Sequence, residues 1–372
     1  MKISILSYDL SHNCLGRAHV LAKALQRLYD VEIIGPIFGD GIWEPVAGDF
    51  NYVSVPGGMY PRFASSARKM LELIDGDVIY AVKPRPTSYG IGLLKKLSSK
   101  LPLVLDIDDW EVGFHLQSKS QFFIEFCSSM RSPNGLAYTY LMEKLAFLAD
   151  DITVSSTFLQ KKFGGVIVPH GRDTEAFDPQ KFNGQFFRKK YGFANEKLIM
   201  FFGTPRPHKG VEDIIEAVKM IEIKDLKVVI VGANDDEYSR KLKRLETNSI
   251  HIFGMQPFSK IPEFLSMADM VVLPQHSTPS AVGQVPAKVF DAMAMAKPIV
   301  ATDVSDLSKI LDGCGLIVEP GNIRALSDNI RWILDNENEA QMLGNKAREK
   351  CIKEYSWTAM EKTLSGIFDK YQ

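Results

Sequence analysis

The stretch Lys197-Leu-Ile-Met-Phe-Phe-Gly203-Thr-Pro-Arg206-Pro-His-Lys209-Gly210 decides the fold. Its apolar run predicts a strand over 198–202 that ends at Gly203. The residues after Gly210 predict a helix over 211–221, with Val211, Ile214, Ile215 and Val218 on one face. Strand, glycine turn and helix start form a device for holding phosphate. The turn lets backbone approach the ligand, and free N–H groups and the dipole at a helix start favour an anion. Arg206 and Lys209 add two side-chain cations, which suits more than one phosphate. The same residues also read as an ordinary charged turn between a strand and a helix.

Working outward, this unit sits in the middle of a 372-residue chain, which predicts two domains. Strands and helices alternate in both halves, the pattern of parallel sheets covered on both faces. Strands are expected at 2–7, 31–34, 78–82, 103–107, 151–155 and 166–168 in the first half. In the second they are expected at 198–202, 227–232, 250–253, 270–273 and 298–302, with a helix over 286–296 and a helical end over 325–371. The expected fold class is therefore α/β, with two Rossmann-like doubly wound parallel-sheet domains. Their boundaries are 1–180 and 195–354, with 181–194 as a linker rich in Gly, Asn and mixed charge.

Composition excludes several classes. A formal charge of −1 argues against nucleic acid as the main partner. Cys14, Cys127, Cys314 and Cys351 have no metal or redox spacing, and no HExxH pair is present, so no metal is expected. No run approaches the about 18 apolar residues of a membrane span, and the start goes directly into a strand; the expectation is a cytoplasmic protein. The first strand-to-helix turn, Tyr8 to Gly16, lacks GxGxxG, which argues against a dinucleotide-dependent dehydrogenase.

Other strand ends carry further candidates. Gly232 closes one strand, and Gly254-Met255-Gln256 follows the next. Ligands of α/β sheets bind at such carboxyl ends. In Gly283-Gln284-Val285-Pro286-Ala-Lys288-Val-Phe-Asp291, Pro286 suits a first helical turn, which would aim nearby N–H groups at an anion. Lys288 and Asp291 share a helix face, either as a salt bridge or with Asp291 holding ribose hydroxyls. In Asp106-Ile-Asp108-Asp109-Trp, Asp106 and Asp108 point to one side of an extended chain. Two like charges would meet there unless one is paired or protonated. Each aspartate also suits a helix cap.

The order of these motifs resembles the GT-B glycosyltransferases, specifically family 4 of retaining nucleotide-sugar enzymes. The resemblance runs from Gly16-Arg-Ala-His-Val-Leu through Val168-Pro-His-Gly-Arg172 and Gly203…Lys209-Gly210. It continues through Lys288-Val-Phe-Asp291-Ala-Met-Ala and Lys297-Pro-Ile-Val-Ala-Thr302 to Tyr355-Ser-Trp357. It implies two domains facing across a cleft and a carboxy-terminal helix, 355–372, crossing back onto the first. Arg206 and Lys209 would grip the donor diphosphate, and Gly16 would approach it from the first domain. Asp291 would hold the ribose, and Gly203, Gly232, Gly254, Met255, Gln284, Val285 and Lys288 would line the donor site. Gly283 departs from the family, which places a glutamate there; Asp108 or Asp109 stands where relatives carry a histidine near the sugar.

The implied activity is retaining transfer of a hexose from a nucleoside-diphosphate sugar to an acceptor hydroxyl, with no cofactor or metal. The acceptor is a glycan, a glycolipid or a small molecule. A UDP-sugar epimerase of similar shape, or a catalytically weak nucleotide-sugar binder, are the alternatives. The aromatic segment 113–148, with Phe122, Phe123 and Phe126, reads either as a core helix or as a peripheral membrane or lipid-acceptor contact.

Overall fold

The computed structural model describes residues 1–116 and 119–372. They form two compact units. The first comprises Met1–His170, Val282–Val285 and Trp357–Gln372, and the second Gly171–Ala281 and Pro286–Ser356.

The first unit is built on strands β1 (Lys2–Leu6), β2 (Asp30–Ile37), β3 (Tyr52–Pro56), β4 (Val78–Val82), β5 (Leu103–Ile107), β6 (Asp151–Val154) and β7 (Val166–Ile167). All pairings are parallel, in the order β3-β2-β1-β4-β5-β6-β7. A parallel sheet is covered on both faces, so its central strands are apolar throughout. Every residue of β4 and of β5 is buried, and only Asp106 among them is charged. The terminal helix Trp357–Phe368 belongs to this unit and buries Met360, Leu364, Ile367 and Phe368. The Phe368 ring lies 5.1 Å from Tyr80 and 6.2 Å from Tyr29.

The second unit contains β8 (Lys197–Phe202), β9 (Leu226–Ala233), β10 (Ile250–Gly254), β11 (Met270–Leu273), β12 (Ile299–Thr302) and β13 (Leu316–Val318). Their order, β10-β9-β8-β11-β12-β13, repeats the arrangement of the first sheet, again all parallel. This is the doubly wound topology. Its strand order reverses between β1 and β4 in the first unit and between β8 and β11 in the second. Loops leaving the carboxyl ends of those strands therefore diverge and open a crevice.

Three expectations need correction. Residues 181–194 are not a bare linker: Gly184–Lys190 is a helix, with the Asn183 side chain accepting from the Phe186 N–H at 3.1 Å. The helix expected over 286–296 spans only Lys288–Ala294, because Pro286 precedes its first turn. The helical end divides into Ile323–Asp335, Glu337–Glu354 and Trp357–Phe368. Strands β3 and β13 were not expected; both are edge strands, and β13, Leu316-Ile-Val318, is only three residues long.

Candidate functional site

In the second unit the chain leaves β8 through Gly203, whose φ of +94° suits glycine. A Cβ there would overlap Lys288 Cε, so the lysine stem crosses directly over the glycine. Gly232, at the end of β9, backs onto the same place: a Cβ on it would stand 2.9 Å from the Gly203 carbonyl carbon. The following turn is tied to the loop after β11. His276 N–H donates to the His208 carbonyl at 2.8 Å, and His276 Nε2 lies 2.8 Å from Asp213 Oδ2.

Cations gather on this turn. Lys209 Nζ donates to the Thr204 carbonyl at 2.8 Å. Lys288 Nζ stands 5.1 Å from the centre of the Phe201 ring. Burial, then the Lys209 charge, pushes the Lys288 ammonium well below the usual lysine range, against the pull of Asp291. His208 is pushed down to about 4 by burial and by Lys209, Lys288, Arg206 and His276. Arg206 is more exposed, its side chain 48% accessible, and reaches Asp236 at 3.4 Å. A half-buried group of like charges at the switch point of a parallel sheet is a potential well for an anion.

The remaining donor-side candidates fall in several places. Asp291 pairs with Arg172 and not with Lys288, although the two share a helix face. Burial pushes its carboxyl up to about 6, with Arg172 and Lys288 opposing. Arg172 also lies over the Phe258 ring at 4.8 Å. The helix beginning at Val211 carries Glu212 and Asp213 in its own first turn, so its positive end already faces carboxylates. Gly254, the last residue of β10, and Met255 just after it are exposed. Gln284 and Val285 lie ahead of the helix Lys288–Ala294, so their N–H groups are not in its first turn. Gly283, Gln284 and Val285 count with the first unit. There Gln284 Nε2 donates to Asp109 Oδ1 at 2.8 Å, and the Trp110 N–H to the Gly283 carbonyl at 3.1 Å. A Cβ at position 283 would come within 2.5 Å of Trp110 Cβ, so a glutamate does not fit.

In the first unit, β1, β4 and β5 deliver a second ionic centre. Arg17, in the helix Leu15–Leu25, grips Asp106 with Nε and Nη2 at 2.9 and 2.7 Å. That pairing answers the crowding expected between Asp106 and Asp108. Asp108 pairs with Lys83 at 3.0 Å, and its carboxyl is pushed up to about 7 by burial and by the charges of Asp109 and Asp106, with Lys83 opposing. Lys83 also pairs with Asp109 and, at 2.8 Å, with Glu111, while Arg85 holds the other Glu111 oxygen. Lys83 is 4% exposed and has a φ of +68°, a backbone state that costs a lysine energy and that surrounding contacts must enforce. Gly16 lies in the first turn of the helix Leu15–Leu25, where a Cβ would touch only the Trp43 ring at 3.5 Å. Within its own unit no close approach demands glycine there.

Sequence reasoning did not single out Lys83, Arg85, Glu111, His208 or Arg172. Lys83-Pro-Arg85 directly after β4 was the available signal, two cations at the carboxyl end of a buried strand. Of the aromatic segment, Phe122 and Phe126 face each other at 6.1 Å and Tyr140 meets Phe126 at 6.4 Å. The Phe123 side chain lies outside the described residues. No described helix is long and apolar enough to cross a membrane.

Residues 183–350 match the family model for glycosyl transferases group 1. An uncharacterized glycosyltransferase of Methanocaldococcus jannaschii is 28% identical over 51% of this chain and 52% of its own length. The chain thus spans about half of that relative. A second uncharacterized glycosyltransferase of the same organism is 22% identical over 99% of this chain and 98% of its own. Among solved structures, Anabaena Alr3699/HepE in complex with UDP and glucose superposes with a TM-score of 0.77 at 16% identity, covering 99% of both chains. The match to the family model lies within 183–350, and the two-sheet fold is that of the superposed GT-B glycosyltransferases.

Proposed function

We propose that this protein is a retaining glycosyltransferase that moves a hexose from a nucleoside-diphosphate sugar to an acceptor hydroxyl. The observation that carries the reading is the cation group of Arg206, Lys209 and Lys288 around Gly203, at the strand ends where the second sheet reverses its order. Rupture of the bond from the anomeric carbon to the diphosphate oxygen leaves negative charge on that oxygen. Cations already in place, half out of water, stabilise that charge without reorganising. Gly203 and Gly232 let the Lys288 stem and the turn pack directly against the strand ends. The leaving phosphate can then take the acceptor proton on the same face, so configuration is kept without a protein nucleophile or a bound metal.

The first unit's carboxylates suit the acceptor half of the reaction. Asp108, near half-protonation at neutral pH, can accept or donate a hydrogen bond to a sugar hydroxyl. The solved complexes of Anabaena Alr3699/HepE with UDP and with UDP and glucose support testing a uridine donor first. The test is a screen of UDP-, GDP- and ADP-hexoses for turnover, followed by NMR of the product's anomeric centre. An axial donor linkage retained in product supports the reading; inversion overturns the retaining mechanism. Gly283, closed to a glutamate by Trp110, favours one second reading, a nucleotide-sugar binder with little catalysis. Tight donor binding without any turnover would select it.

A further inference from the structure

Among the described residues, the first unit carries an apolar surface that the donor-site reading does not use. It is built from the helix Ile91–Ser99, the helix Leu136–Lys144 and the short turn Ala146–Leu148 that follows. Leu97 is 80% exposed and Phe147 73%, and Leu94, Leu141 and Leu148 are exposed beside them. A single exposed leucine is ordinary, but a contiguous group of large apolar side chains marks a contact surface.

The group is contiguous. Ile91, Gly92 and Leu93 turn the first helix into the sheet, where a Cβ on Gly92 would stand 2.8 Å from Leu103 Cδ1. Gly90, Leu94 and Leu97 share the opposite row, at i, i+4 and i+7. A Cβ on Gly90 would lie 3.4 Å from Met142 Sδ, and Lys96 Nζ donates to the Leu148 carbonyl at 2.9 Å. The second helix and its turn therefore run alongside that row. Tyr89, fully buried, fixes the arrangement by donating its hydroxyl to the Leu145 carbonyl at 2.8 Å. Phe122 and Phe126, by contrast, are half-buried against each other and Tyr140, so the aromatic rings serve packing and the aliphatic strip faces outward.

The rim of the strip is cationic. From Pro86 to Leu105 the chain has no Asp or Glu, but it has Lys95, Lys96 and Lys100. Lys100 and Lys144 are exposed at the ends of the two helices. The nearby carboxylates are already engaged: Asp150 pairs with Lys96 at 2.7 Å and accepts the Leu103 N–H, and Glu143 accepts the Val112 N–H at 3.0 Å. We propose that this face, with Leu97 and Phe147 at its centre and Lys100 and Lys144 at its rim, docks on an anionic membrane surface. Leucine and phenylalanine enter the boundary of the acyl chains, while lysine stems reach outward to anionic headgroups. A second copy fits this charge pattern poorly, because a two-fold contact would set the same lysine-rimmed face against itself.

The experiment is flotation of the 372-residue chain with vesicles of phosphatidylcholine alone, and of phosphatidylcholine mixed equally with phosphatidylglycerol. It is run at about 0.1 M and about 1 M salt, between which the Debye length falls from about 10 to about 3 Å. Binding to the mixed vesicles at low salt is expected. The exposed substitutions Leu97→Ser and Phe147→Ser should each weaken it about tenfold. Lys100→Gln and Lys144→Gln should each weaken it about fivefold at low salt and far less at high salt. Leu28→Ser, an exposed leucine of the same unit outside the strip, should leave binding unchanged. The proposal is overturned if the wild type stays unbound with both vesicles, if it binds both compositions equally, or if Leu97→Ser and Phe147→Ser bind like Leu28→Ser. A dimer that Leu97→Ser and Phe147→Ser dissolve, with no vesicle binding by the wild type, assigns the face to a second copy instead.

Discussion

At the residue scale, the first unit's chemistry depends on Lys83. It faces the buried Asp108 and Glu111 and the half-buried Asp109; without it, Glu111 would keep only Arg85. Burial pushes Glu111 up, but Arg85 and Lys83 outweigh it and hold the carboxyl down at about 2. Glu111 therefore contributes stability that is present above the unfolded glutamate range and lost as pH falls toward 2. Asp108 goes the other way, pushed up to about 7, so its charge costs stability as pH rises through neutrality. Lys83→Met should destabilise the protein by about 3–5 kcal/mol at pH 8, the cost of an uncompensated buried charge. The deficit should shrink at pH 5, where Asp108 is protonated. Urea unfolding at the two pH values checks this, and an equal deficit at both contradicts it. The Asp106–Asp108 conflict was legible because alternation along a strand fixes which side chains meet. Lys83 was not, since its partners lie 25 to 28 residues away in sequence and only sheet order brings them together.

At the scale of elements, the central strands were readable because parallel strands buried on both faces are continuous apolar runs, as in Val78-Ile-Tyr-Ala-Val82. Edge strand β3 alternates and ends in Pro56, and its burial is correspondingly incomplete. The helix Gly184–Lys190 was hidden for another reason. Its sequence, Gly-Gln-Phe-Phe-Arg-Lys-Lys, starts with a poor helix former and carries three cations in its last turn, a composition that also suits a linker. The structure holds it by the Asn183 cap and by Arg188, which donates to the Met267 carbonyl from both Nε and Nη2, at 3.0 and 2.6 Å. Asn183→Ala should cost about 1 kcal/mol, measured as a fall in the urea midpoint without a change in slope. No shift would show that Arg188, not the cap, sets the helix start. At the site, the sequence identified the Gly203 turn correctly as a glycine-requiring bend, but it overextended the helix after Pro286. A proline at a helix start and a proline two residues before one look alike in sequence.

At the scale of the whole molecule, two copies of one strand order were predictable from the restart of the βα cycle near residue 198. The terminal helix is the part that joins the sequence's last residues to its first. Phe368 packs between Tyr29 and Tyr80 in the first unit's core. Phe368→Ala should destabilise that unit by about 3–5 kcal/mol, read in calorimetry, with nucleotide affinity of the folded protein unchanged. A loss of affinity without a loss of stability would contradict this division of labour. The central claim is that Lys209 and its neighbours stabilise a departing diphosphate. It is tested most directly by single-turnover donor consumption in Lys209→Ala, once a donor is found. The account predicts a rate lowered about 10²- to 10³-fold in a protein that still folds; a rate near that of the wild type would contradict it.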